Sequence, residues 1–109
     1  MAYKLVVTEH ADELLDHILR YLIYQLKNEQ AAVHLLDEMK NIYDRLEENP
    51  LQFPVSRDTY LADKGYHEAV IDQMNYIIIF SIESETVNIV GIFHQLENYW
   101  KKLRIGDTI

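Results

Sequence analysis

The chain has 109 residues, of which 49% are hydrophobic and 26% charged, enough for one packed core and too few for two. The absence of cysteine excludes disulfides, thiolate metal sites and a cysteine nucleophile. A formal net charge of −8 and a pI near 4.9 argue against a module that grips nucleic acid through a basic face, so no direct high-affinity nucleic-acid binding is expected.

Charge is uneven along the chain. Up to residue 96 sixteen acidic side chains outweigh seven basic ones, whereas between 97 and 109 Lys101, Lys102 and Arg104 outnumber Glu97 and Asp107. The opening MAYKLVVTEH has only Leu5, Val6 and Val7 as an apolar run, shorter than the roughly 7 to 15 residues of a signal-peptide core. No window approaches the roughly 20 apolar residues that span a bilayer, so a cytoplasmic protein without membrane association is expected.

In chain order, residues 3–8 (YKLVVT) are short, β-branched and bounded by polar residues, which predicts a strand. Thr8 is placed to cap a helix whose first turn carries Glu9, Asp12 and Glu13. Ala11, Leu14, Leu15, Ile18, Leu19, Leu22 and Leu26 then form one apolar stripe. After KNEQ a second periodic run sets Ala32, Leu36, Met39, Ile42, Tyr43 and Leu46 on one side, and Pro50 ends it. Two amphipathic helices joined by a few residues predict an antiparallel hairpin. LQFPVSRDTYLADKG, with Pro54 and Gly65, reads as a loop. YHEAVID (66–72), NYIIIFSI (75–82) and VNIVGIFH (87–94) read as strands, the last two joined by ESET. Their apolar continuity predicts cover on part of both faces. Leu96, Tyr99, Trp100 and Leu103 have the spacing of a short closing helix.

This order predicts a single α+β domain over residues 1–109. An N-terminal strand precedes an antiparallel helical hairpin, packed on one face of a mainly antiparallel four-stranded sheet. Three stretches carry a likeness to a known family: YKLVVTEHADELLDHILRYL, IYDRLEENPLQFP and GYHEAVIDQMNYIIIFSIESETVNIVGIFHQ. In them the chain resembles the RelE/ParE superfamily of toxins from bacterial type II toxin-antitoxin systems, over about residues 3–100. The resemblance implies a small growth-arresting toxin held silent by a cognate antitoxin. Members divide mainly into ribosome-dependent messenger-RNA endonucleases and inhibitors of DNA gyrase.

Nuclease members rely on arginines and lysines over the sheet, with a tyrosine or histidine near the C-terminus, because cleavage by a 2′-hydroxyl needs charge stabilisation and proton transfer. Where such members commonly present arginines this chain has His67, Val70, Ile77 and Ser81. If it is a nuclease, the resemblance points to His94, Tyr99 and Lys101 as catalytic residues. His67, Trp100, Lys102 and Arg104 are the candidates for binding, and the plain alternatives are a strand-end histidine bonded to a carbonyl and an aromatic seal over the sheet. No metal site or cofactor is expected. His10 and His17 are seven residues apart, about 10.5 Å of axial rise, too far to share an ion. Most of the eight tyrosines lack neighbouring arginine and read as core-edge residues rather than base-stacking platforms.

The expected function is therefore a ParE-like toxin acting by protein contact on DNA gyrase, and so not an enzyme. The main alternative is a ribosome-dependent messenger-RNA endonuclease, and the second an inactive interaction module that keeps the fold. An antitoxin helix or strand is expected in an apolar groove beside the hairpin or the last strand.

Overall fold

The computed structural model describes residues 2–95 of the chain. Strand β1 (Lys4–Val7) ends at Thr8, whose hydroxyl accepts a hydrogen bond from the Ala11 amide and so caps helix α1 (Glu9–Arg20). Tyr21–Gln25 continue α1 as one π-helical turn, and Lys27, at φ +51°, reverses the chain. Asn28 then accepts from the Ala31 amide and starts helix α2 (Glu29–Glu48). Asn49 is extended before Pro50, which opens a 3-10 turn over Pro50–Gln52.

The hairpin is as expected, with one correction of phase. On α2 the buried stripe is Ala32, Leu35, Met39, Ile42 and Leu46, and Leu36 is 45% exposed. At about 100° per residue, positions 35, 39, 42 and 46 cluster around one direction while 36 stands about 100° away from it. The segment read as a loop is also more ordered than expected. Asp58 accepts from the Leu61 amide and caps a short helix α3 (Thr59–Asp63), too brief to show a helical period.

Three strands follow, β2 (Tyr66–Ile71), β3 (Tyr76–Glu83) and β4 (Thr86–His94). The β3–β4 hairpin is tighter than ESET implied. Glu83 pairs with Thr86, so only Ser84 and Glu85 lie outside the ladder, with Ser84 at φ +55°. The sheet order is β1-β4-β3-β2, with β1 parallel to β4 and the other pairs antiparallel.

Both faces of the sheet are apolar. Ala69, Ile71, Ile78, Phe80, Val87, Ile89 and Ile92 pack with the buried stripe of the hairpin. On the opposite face Ile77, Ile79 and Phe93 pack with Leu61 of α3. All of Tyr76 to Phe80 is buried, as the unbroken apolar run of β3 implies. Burial of each large core side chain contributes about 1.5–3 kcal/mol, so this central strand is a main source of stability. The closing helix expected around Leu96, Tyr99, Trp100 and Leu103 lies outside the described residues.

Candidate functional site

A register change in β4 decides where its terminal histidine points. Phe80 pairs with Ile89 and Ile79 with Gly91, so Val90 is an extra residue, a bulge. Val87 and Ile89 face the hairpin before the bulge, and Ile92 faces it afterwards. His94, two residues on, therefore also lies on the hairpin side, paired across the ladder with Tyr76. The two rings meet edge to face, 5.5 Å between centroids at 83°.

The short first strand leaves room beside this pair. β1 pairs with β4 only from Thr86 to Ile89, the Thr8 amide donates to the Ile89 carbonyl at 3.0 Å, and α1 then runs alongside the rest of β4. Between them lies a cleft of about 520 Å³, lined by Leu14, His17, Ile18, Tyr21, Tyr76, Ile92 and His94. The lining thus brings two imidazoles and two phenols, all able to donate or accept hydrogen bonds, to one cleft. The described lining contains no lysine or arginine, so it supplies no fixed positive charge for a phosphoryl transition state.

His67 is used differently. Its Nδ1 lies 3.2 Å from the Phe53 carbonyl, to which it donates, and its ring stacks on Phe80 at 5.4 Å and 20°. It pairs with Phe80 on β3, whereas His94 is two strands away from β2 at the level of Ile71. Four residues along and two strands across put the two histidines about 16 Å apart. They do not form one site. Tyr99, Trp100, Lys101, Lys102 and Arg104 lie outside the described residues.

The face of the sheet turned away from the hairpin holds an ion pair that the sequence did not reveal. Glu68 is 2% exposed, and its carboxylate accepts from the Arg57 amide at 2.9 Å and from Arg57 Nε at 2.8 Å. The rest of the Arg57 side chain is exposed. Two backbone bonds, Ser56 amide to Tyr66 carbonyl and Glu68 amide to Pro54 carbonyl, hold residues 54–57 along the outer edge of β2. Eleven residues and a bend separate the two partners, a spacing with no local signature. The charged group buried in this face is thus a carboxylate with its own counterion, paired across the ladder with Ile79.

Among the described residues, no three histidine or carboxylate side chains converge as a metal site would require. No described helix is long and apolar enough to cross a membrane.

Comparison with known proteins gives this geometry a family. The model described as the ParE toxin of the type II toxin-antitoxin system, parDE, matches residues 5–99. Among solved structures, a chain of the chromosomal ParDE toxin-antitoxin system from P. aeruginosa superposes with a TM-score of 0.68 at 16% identity, over 85% of this chain and 96% of that one. A chain of the toxin-antitoxin complex RelBE2 from Mycobacterium tuberculosis gives 0.57 at 17% identity, over 89% and 95% respectively. At such identities the likeness is one of fold. No curated protein sequence matches.

Proposed function

The chain belongs to the ParE toxin family of type II toxin-antitoxin systems, and from that premise we propose that it arrests growth by protein contact with DNA gyrase and is silenced by a cognate antitoxin. The observation that carries the choice is the charge on the sheet. The face turned away from the hairpin buries Glu68 against Arg57, and the cleft beside His94 has no lysine or arginine in its described lining. Among the described residues, a scissile phosphate in the cleft would meet no lysine or arginine, and on the other face the Arg57 guanidinium is already engaged by Glu68, whereas phosphoryl transfer needs preorganised positive charge. A protein target makes no such demand. The two toxin-antitoxin complexes of similar fold support the antitoxin as partner.

The test is a pair of assays on one preparation. Purified chain is expected to inhibit gyrase supercoiling and to leave messages intact in a reconstituted translation mixture read by primer extension. Discrete message cuts that disappear in His94→Ala, with supercoiling unaffected, would assign it instead to the ribosome-dependent endonucleases. Normal growth of a bacterium expressing soluble chain would mark it as an interaction module without toxic action.

A further inference from the structure

Strand β4 ends at the rim of the cleft beside α1. His94, its last residue, belongs to the lining, and the Gln95 amide donates to the Asn75 carbonyl at 2.7 Å, so the chain is held at this rim up to residue 95. The apolar walls are incompletely covered among the described residues. Ile92 is buried, Leu14 and Ile18 are half-buried, and Tyr21 is 51% exposed.

The sequence beyond Gln95 matches this opening in reach, pattern and charge. Trp100 is six positions after His94, about 9 Å of rise in a helix and about 20 Å fully extended, so its indole stays within reach of the cleft in either form. Leu96, Tyr99, Trp100 and Leu103 recur at helical spacing as one apolar stripe. His17 lines both this cleft and the one on the neighbouring flank of α1, which Glu9, Asp12, Glu13 and Asp16 border. Residues 9–16 hold those four carboxylates and no lysine or arginine, whereas Lys101, Lys102 and Arg104 follow directly on Trp100. On the other face of the sheet, α3 and its flanks over residues 57–64 are neutral, Arg57 and Lys64 against Asp58 and Asp63. The field therefore draws a cationic tail toward α1. The family match ends at residue 99, which leaves Trp100 and the three cations outside it.

We propose that residues 96–104 fold back into the α1–β4 cleft of their own chain, with Tyr99 and Trp100 against Tyr21 and Ile18 and the three cations toward Glu9 and Glu13. Because the segment is joined to the rim, its effective concentration there is on the order of millimolar, and any free ligand for the cleft competes against it. The tail thus covers His94, whichever target the chain acts on.

The test uses the full chain, whose only tryptophan is Trp100. Acrylamide quenching of its fluorescence is expected to be about threefold weaker in the folded chain than in urea, since a docked indole is largely out of solvent. Nuclear Overhauser contacts should join the indole to the methyl groups of Ile18 or Leu14. Tyr21→Asp, which charges the apolar wall, and Glu13→Lys, which reverses the acidic bank, are each expected to raise quenching about twofold with circular dichroism unchanged. Leu36→Ser, outside the cleft, should quench as the wild type does. Quenching equal to that in urea, indole contacts to Ile77, Ile79 or Phe93 on the other face, or indifference to both cleft variants would overturn the proposal. The Overhauser contacts of the wild type decide between the two faces even if a variant fails to fold.

Discussion

Val90 shows how much of a site hangs on one residue. Strict alternation from Val87 would set His94 on the opposite side from Val87, and the extra residue returns it to the hairpin side, against Tyr76. The histidine was legible in the sequence; its direction was not, because a bulge arises from pairing with a distant strand. Gly91, the next residue, has a space requirement of its own. A Cβ there would lie 2.4 Å from Phe93 Cε2, and Phe93 is fully buried with nowhere to retreat. Gly91→Ala is therefore expected to destabilise the fold by about 1–3 kcal/mol, measured by urea denaturation. An unchanged midpoint would mean that the ring rotates freely. Tyr43 gives a pH signature. Burial, helped by the negative charge of Asp12, pushes its phenol from 10.0 up to about 12. The folded state thus binds the proton more tightly than the unfolded state. Its contribution is complete below pH 10 and is lost as pH rises from 10 to about 12. Tyr43→Phe should lose less stability than the wild type across that window, as compared by denaturation at fixed pH values. Parallel curves would show that Tyr43 titrates normally.

Among the elements, the helical hairpin and β3 are legible in the amino-acid order alone because their patterns are local. The leucines of α1 repeat at helical spacing, and YIIIF is an unbroken apolar run too short for a helix and bounded by turn residues. Helix α3 and the strip beside β2 are not legible in this way. Five residues cannot display a period, and the Arg57–Glu68 pair exists only once the chain has folded back along the strand edge. That strip covers an edge that would otherwise offer unpaired backbone groups to another chain. Arg57→Ala removes the counterion from a carboxylate that is only 2% exposed and leaves it the Arg57 backbone amide. The expected cost is about 1–3 kcal/mol, with a greater tendency to aggregate on heating, followed by calorimetry and light scattering. Arg57→Lys should recover only part of the loss, since an ammonium lacks the planar geometry that Nε uses here. Full recovery would show that bare charge suffices.

At the scale of the whole molecule, the same acidity that shapes its partners works against its compactness. Folding draws a net charge of −8 into a body with a radius of gyration of 13.7 Å, against about 33 Å for an unfolded chain of this length. Attractive pairs do little to offset this repulsion. Two of the ion pairs, Arg20 with Asp16 and Lys40 with Asp44, are exposed contacts within single helices, while Glu68 with Arg57 has a buried member. Screening should therefore weaken the net repulsion more than it weakens the useful attractions. Raising sodium chloride from about 0.02 to 0.2 M is expected to stabilise the fold by on the order of 1 kcal/mol, a rise in Tm of about 4–8 °C. Chloride is the suitable anion because sulfate would strengthen apolar burial on its own account. Glu47→Gln with Glu48→Gln, which removes two carboxylates from the last turn of α2, where the helix dipole also disfavours them, should raise the Tm at low salt and reduce its salt dependence. A Tm that falls as chloride is added would mean that attractive contacts dominate the electrostatics.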